Sequence, residues 1–214
     1  MPFVLATTNP NKAREIREIF AAAGLGPEVL LDRPIDAPEV EETEPDLLGN
    51  ARLKARAVVA ATGLPAIAED SGIEVDALGG EPGARSARYA GEPPDEDANV
   101  DKVLSEMRAF SGREQRRARF ATVAVALWPD GRELVAEGTV DGWVAPARRG
   151  SGGFGYDPVF VPDEGDGRTF GEMAEVSPAE KHALSHRGRA FRALASSLAE
   201  AGVGEPAPEE LGGG

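Results

Sequence analysis

The segment Leu64–Gly91, LPAIAEDSGIEVDALGGEPGARSARYAG, sets two carboxylates, Glu69 and Asp70, at the end of an apolar run from Pro65 to Ala68. Ser71 and Gly72 follow, then a second alternating run (Ile73, Val75, Ala77) and a Gly/Pro-rich turn. Short apolar runs bounded by turn residues predict buried strands. A carboxylate at the end of a buried strand is costly unless something charged pairs with it. A metal ion or a phosphate-bound cation is the usual partner. Asp70-Ser71-Gly72 supplies a carboxylate, a hydroxyl and a residue free to take an unusual backbone angle. That combination predicts the edge of an active site.

Thr7-Thr8-Asn9-Pro10-Asn11-Lys12 joins the first predicted strand to the first predicted helix. A helix N-terminus attracts anions through its dipole and unpaired N–H groups. Lys12 in the first turn is unfavourable there unless an anion is bound; an ordinary capped helix with a surface lysine is the alternative. The chain has no Gly-Lys dipeptide, so this is not a Walker A loop. Glu41-Glu42 lies in an acidic loop and alone reads as solvated. Beside Asp70, it becomes a Mg²⁺ ligand candidate, because Mg²⁺ needs only one or two carboxylates plus substrate phosphate.

Gly150 to Gly155 matches G-x-G-x-x-G, but Asp157-Pro158 follows at once and prevents the helix that a dinucleotide fold requires. A flexible loop presenting Phe154, Gly155, Tyr156 and Asp157 to a ligand fits better. Phe154 either stacks on a base or packs in the core. His182 and His186 stand four apart in H-A-L-S-H, without the glutamate of a zincin helix. Ser185 resembles the cap of a new helix, which would part the two imidazoles. Ser185 to Gly188 is read here as a turn whose donors meet a ligand.

These residues need a scaffold. Phe3–Thr7 predicts a buried strand. Asn11 predicts an N-cap for a helix burying Ile16, Ile19, Phe20 and Ala23 and stopping at Gly24. Glu28–Leu31 predicts a second strand and 32–46 a loop. A helix over Pro45–Thr62, stopped by Gly63, puts Asn50 and Lys54 on one face. Asp95 caps a helix to about Phe110. Arg119–Trp128, apolar at both parities, predicts a central strand covered on both sides, and Glu133–Val144 returns as its hairpin partner. Ser177-Pro178-x-Glu180 predicts a capping box, and a last helix runs from about His186 to Ala201. Residues 1–201 read as a single domain. Residues 202–214 read as an acidic, Pro/Gly-rich disordered tail.

The chain has 214 residues and a formal charge of −14. Such acidity opposes sequence-independent binding to nucleic acid polymers but permits a nucleotide site built from local cations. Without cysteine, disulfides, thiolate metal sites and Cys nucleophiles are excluded. The N-terminal apolar run is too short for a signal peptide, and no stretch approaches a membrane span, so a soluble cytoplasmic protein is expected. The lysines are Lys12, Lys54, Lys102 and Lys181, and every other of the 23 basic residues is arginine. Lysine is a compact point charge suited to one phosphate oxygen, so positions that stay lysine are candidates for that role.

The pieces together resemble the inosine/xanthosine triphosphate pyrophosphatase family. The matching motifs are T-x-N-x-x-K at Thr7–Lys12, E-E-T at Glu41–Thr43, N-A-x-x-K-A at Asn50–Ala55 and E-D-S-G at Glu69–Gly72. P-G-x-x-S-A-R-Y-A-G at Pro82–Gly91, G-G-F-G-Y-D-P-V-F at Gly152–Phe160 and E-K-x-x-x-S-H-R-G at Glu180–Gly188 follow in family order. The resemblance implies an α/β fold: an elongated, mixed, curved sheet flanked by helices, in two lobes with a central substrate cleft. It also implies a homodimer, Mg²⁺ as cofactor, and hydrolysis of ITP, dITP or XTP to the monophosphate and pyrophosphate. Asp70 would be the general base, with Glu42 and Asp70 holding the metal. Thr7 to Lys12, Lys54 and Ser71 would bind the triphosphate. Phe154 to Asp157, Lys181, His186 and Arg187 would bind the nucleoside, with donors facing a 6-oxo group. Glu69 stands where many relatives have Asp, and the loop after Thr43 is unusually acidic.

Overall fold

The structure is a computed structural model that describes residues 2–203. The expected disordered tail therefore lies, from residue 204 onward, outside the described residues. Six strands form one mixed sheet: β1 (Phe3–Leu5), β2 (Leu30–Leu31), β3 (Ala66–Val75), β4 (Arg117–Leu127), β5 (Glu133–Val144) and β6 (Phe160–Pro162). Their spatial order is β2-β1-β3-β4-β5-β6. β1 runs parallel to both its neighbours, and the remaining pairs are antiparallel.

The helices are α1 (Pro10–Ala22), α2 (Leu47–Thr62), α3 (Glu96–Glu106), α4 (Phe170–Val176), α5 (Pro178–Leu184) and α6 (His186–Glu200). α1 and α6 cover one face, packing Ile16, Phe20, Phe191 and Leu194 against Phe3, Leu5 and Ile67. α2 covers the other, with Ala51, Ala55 and Val58 against Val4, Ala66, Ala68 and Val125. The split by odd and even positions follows from the two-residue period of a strand. β4 contributes to both clusters, which accounts for its apolar residues at both parities. A third cluster joins α3 and α4 to the far ends of β3, β4 and β5 around Phe120, Phe160 and Phe170.

Several elements differ from the sequence reading. The two apolar runs around Glu69-Asp70 are one strand, β3, so the acids sit mid-strand. β4 is long enough to pair it throughout, from Ala66↔Leu127 to Val75↔Ala118. β1, by contrast, ends at Leu5 and pairs only with Ala66 and Ile67 of β3. From Ala68 to Ile73, β3 thus has no strand neighbour on that side. The N-cap of α1 is Asn9, not Asn11: its side chain accepts the N–H groups of Asn11 and Lys12, and Pro10 at the first helical position has no N–H to satisfy. Of the second predicted strand, only Leu30–Leu31 is extended; Glu28 and Val29 belong to a 3-10 turn over Pro27–Val29. Ser177 does cap α5, but the reciprocal capping box belongs to Thr169 and Glu172 and opens α4, a helix the sequence reading passed over.

Two glycines permit backbone contacts that position the site. A Cβ on Gly72 would lie 2.2 Å from the Gly83 carbonyl oxygen, where a 3-10 turn over Gly83–Arg88 crosses β3. A Cβ on Gly138 would lie 2.2 Å from the His186 carbonyl oxygen and 2.4 Å from the Ala190 nitrogen, so the first turn of α6 rests on the backbone of β5.

Candidate active site

A cavity of about 560 Å³ opens where β1 stops and the edge of β3 is left uncovered. Thr7, Thr8, Asn9 and Lys12 line it at the start of α1, and Glu69, Ser71 and Gly72 line it from β3. The Thr7 hydroxyl oxygen accepts the Asn9 N–H at 3.1 Å, and Asn9 accepts those of Asn11 and Lys12 at 2.9 and 3.2 Å. The helix N-terminus is therefore already capped, and its charge towards the cavity is the Lys12 ammonium. Pro10 and Asn11 do not line this cavity; Pro10 borders a shallower depression beside it.

The neighbouring acids face opposite sides of the sheet. Asp70 turns towards α2, where Lys54 Nζ lies 2.7 Å from Oδ1 and Asn50 Nδ2 lies 3.3 Å from Oδ2. Lys54 also donates to Glu42 Oε1 at 2.9 Å, so both carboxylates converge on one cation. Arg88 lies 3.0 Å from the other Glu42 oxygen and donates to the Glu42 carbonyl. Burial pushes the Asp70 carboxyl up and the charge of Glu42 adds to this, while Lys54 opposes it; the net shift is upward. For Lys54, burial works against the charge, but Asp70 and Glu42 outweigh it and hold the ammonium above its ordinary value. Two carboxylates gathered on a single ammonium form an oxygen donor set that fits Mg²⁺, an ion satisfied by few protein ligands.

Glu69 turns towards α1 and α6. Lys12 Nζ lies 2.5 Å from Oε1, Arg187 Nη2 lies 3.5 Å from Oε2, and the Ser71 hydroxyl donates to the same carboxylate. Burial pushes Glu69 up, but the cations Lys12, Arg187 and Lys54 more than reverse this and hold it well below the usual carboxylate range.

Ser185 to Gly188 is not a free turn. The Ser185 hydroxyl accepts the Gly188 N–H at 3.0 Å and caps α6, so His186 and Arg187 form its first turn. His182 ends up on α5, near Glu15 and Glu18 at 3.6 and 3.5 Å, and does not pair with His186. Among the described residues, no group of three His, Asp or Glu side chains is gathered to hold a metal. The His186 ring stacks on Phe120 at 4.3 Å with planes 6° apart. Burial, then the charges of Arg187 and Lys181, hold its imidazole well below the ordinary value, so it is neutral.

Arg187 donates to Glu15 Oε2 at 2.8 Å and to Ser71 Oγ at 3.3 Å. Lys181 donates to Glu15 Oε1 at 2.8 Å and to Asp157 Oδ2 at 2.6 Å; it lies behind the cavity wall and not on it. Burial pushes Glu15 up, yet the nearby His182 and the charges of Arg187 and Lys181 bring it far below the usual range. Phe154, Gly155, Tyr156 and Asp157 all line the cavity. Phe154 belongs to none of the three apolar clusters, and both cations lie near its ring, Lys181 at 5.1 Å and Arg187 at 5.2 Å from its centre. The Tyr156 hydroxyl instead donates to the Ser86 carbonyl, and Asp157 accepts the Phe154 N–H. Two buried nitrogens of the cavity lining, His186 Nδ1 and Arg187 Nε, have no protein partner.

Sequence reasoning missed Glu15, Asn50, Arg88 and Phe120 as site residues. A signal existed for Glu15: it stands four before Ile19, on the inward face of its helix, where a charge needs a partner. Lys102, the lysine outside the motifs, holds the Tyr89 carbonyl at 2.8 Å and lies 4.1 Å from the Tyr89 ring centre. Its role is structural.

The profile of the Ham1 family matches residues 3–197. The dITP/XTP pyrophosphatase of Rhodospirillum centenum is 48% identical over 191 residues, 89% of this chain and 91% of the relative. That of Symbiobacterium thermophilum is 50% identical over 188 residues, 88% of this chain and 90% of the relative. Among solved structures, the Staphylococcus aureus Ham1 protein superposes with a TM-score of 0.79 at 35% identity, covering 94% of this chain and all (100%) of that one. A HAM1 protein from Coxiella burnetii gives 0.81 at 35% identity, covering 94% and 99%.

Proposed function

The chain belongs to the Ham1 family, and from that premise we propose that it hydrolyses non-standard purine nucleoside triphosphates. ITP, dITP and XTP would yield the monophosphate and pyrophosphate. The observation that carries the reading is a carboxylate–lysine cluster, with Glu42 and Lys54 on the cavity wall and Asp70 buried against Lys54, set across one cavity from an aromatic and cationic end (Phe154, His186, Arg187). The first suits phosphate chemistry and the second suits a base.

Asp70 accepts the proton of the attacking water. Its raised pKa makes it a stronger acceptor, while Lys54 preserves the carboxylate form. Lys12 and Lys54 meet the negative charge that develops on the pyrophosphate leaving group. The phosphates must displace Glu69 from Lys12, or share it. Glu42 and Asp70 are the residues that would hold Mg²⁺, whose contribution is charge neutralisation on the triphosphate oxygens. At the other end, Phe154 offers a stacking face. Arg187 Nε and the His186 ring are polar groups awaiting partners, and a 6-oxo purine edge supplies acceptors where adenine presents an amine. The reading includes residues 1–201 as one catalytic domain, a homodimer and a cytoplasmic setting, supported by the continuous sheet for the first and by the family resemblance for the others.

Pyrophosphate release from dITP, XTP, dGTP, dATP and dTTP, each with Mg²⁺ and with EDTA, tests the proposal. Mg²⁺-dependent release confined to dITP and XTP is the expected result. Release chiefly from dTTP would move the enzyme to the pyrimidine house-cleaning class, and undiminished release in EDTA would remove the metal. Light scattering on a sizing column reads the oligomer.

A further inference from the structure

Asn50 is 1% exposed, and both ends of its amide are used. Oδ1 accepts the Glu44 N–H at 3.0 Å, and Nδ2 donates to Asp70 Oδ2 at 3.3 Å. Only one orientation of the amide serves both: reversed, it would set NH₂ against an N–H and an oxygen against a carboxylate. One turn along the same face of α2, Lys54 takes the other Asp70 oxygen at 2.7 Å. The Asp70 carboxylate is thus bracketed, one oxygen by an ammonium and one by a neutral donor. The neutral donor fixes its direction without adding a second cation. The far end of the same amide holds Glu44, two residues beyond Glu42, and so fixes the loop that delivers Glu42 to Lys54.

We infer that Asn50 is a positioning residue for hydrolysis, orienting Asp70 and tying it to the loop that carries Glu42. The inference rests on the proposed pyrophosphatase activity. Catalysis is sensitive to such orientation, and losing a partner that aligns a reacting or metal-holding group costs about 10- to 100-fold.

Two variants separate the two ends of the amide. Asn50→Asp keeps an acceptor for the Glu44 N–H but turns a second carboxylate on Asp70 in place of the donor; Asn50→Leu loses both bonds at similar volume and adds no charge. Turnover of dITP with Mg²⁺, dITP affinity in EDTA by calorimetry, and thermal melting would be measured for both and for the unmodified protein. We expect kcat to fall about 10- to 100-fold in both variants, with KM and the EDTA affinity within about threefold. If Asn50→Asp fails to fold, Asn50→Leu carries the comparison. Full activity in Asn50→Asp with loss in Asn50→Leu would reduce Asn50 to a loop anchor and overturn the link to Asp70. Losses in EDTA affinity and melting that match the loss in kcat would make its role merely structural. Unchanged kcat in both, with the unmodified protein active, would overturn the inference alone. An unmodified protein inactive on every triphosphate would overturn it together with the proposed function.

Discussion

Asp70 and Glu69 are separated by one position along the chain and by a whole face of the sheet. Burial raises the first, and a ring of cations lowers the second. Asp70→Asn keeps the shape and the neighbours but removes the proposed proton acceptor. Turnover should fall by about 10²- to 10⁴-fold while calorimetric binding of dITP in EDTA persists; a variant that still turns over normally would dismiss Asp70 as the base. His186 supports a different test. Its imidazole is neutral in the fold, whereas in the unfolded chain it titrates near ~6.5. Below that pH the unfolded chain takes up a proton that the folded protein refuses. Its contribution to stability is therefore complete above about pH 6.5 and is lost as the pH falls, by up to about 1.4 kcal/mol per unit. Urea titrations at pH 7.5 and 5.5 should show the unmodified protein losing about 1 kcal/mol more than His186→Phe. Equal losses would mean that the buried imidazole accepts a proton after all.

The elements carry their own lessons. α6 presents His186 and Arg187 because its first turn lies on β5 at Gly138. Gly138→Ala forces the helix off the strand and should cost about 1–3 kcal/mol in urea denaturation; an undiminished midpoint would show that the contact is not tight. What the sequence disclosed about elements was local. Asp95 caps α3 and Gly63 ends α2 as read, because a cap is a bond between near neighbours. The hairpin of β4 and β5 was legible from its turn and its apolar runs. The continuity of β3 through two carboxylates was not. It depends on an eleven-residue partner strand and on cations from α1, α2 and α6, none of which a local window contains. The Thr169–Glu172 box was there to be read and opened a helix too short to show a period.

Across the whole molecule, the motifs marked most of the cavity lining, but not the contacts that close it. Glu15 meets Lys181 and Arg187 across 166 and 172 residues of sequence. The first helix is thereby bound to the last two through a network around two buried cations, which also reach the carboxylates of Asp157 and Glu69. Removing one partner from such a network strands charge in the interior. Glu15→Gln should lower global stability by about 3–5 kcal/mol, read as a shift of the urea midpoint at constant slope. A midpoint that does not move would show that water or relaxation replaces the carboxylate. The distribution of charge is also uneven: in a chain with formal charge −14, Lys12, Arg33, Lys54, Arg88 and Arg187 line the cavity alongside Glu39, Glu42, Glu69, Glu96 and Asp157. An acidic exterior keeps polymeric nucleic acid away, while a hollow whose charges balance leaves cations in place for one nucleotide.

β1 is three residues long, and its early end has a consequence for descent. Because it stops after Leu5, neighbouring positions of one uncovered strand serve opposite faces: Asp70 holds Lys54 beneath α2, while Glu69 and Ser71 meet the hollow beneath α1 and α6. The two faces rest on different helices, so selection can work on them separately. In the proposed reading, substitutions on the α6 side would change which base is admitted while Asp70, Glu42 and Lys54 stay as they are. A lineage built on this sheet would then shift its diet of nucleotides without first losing the ability to cut.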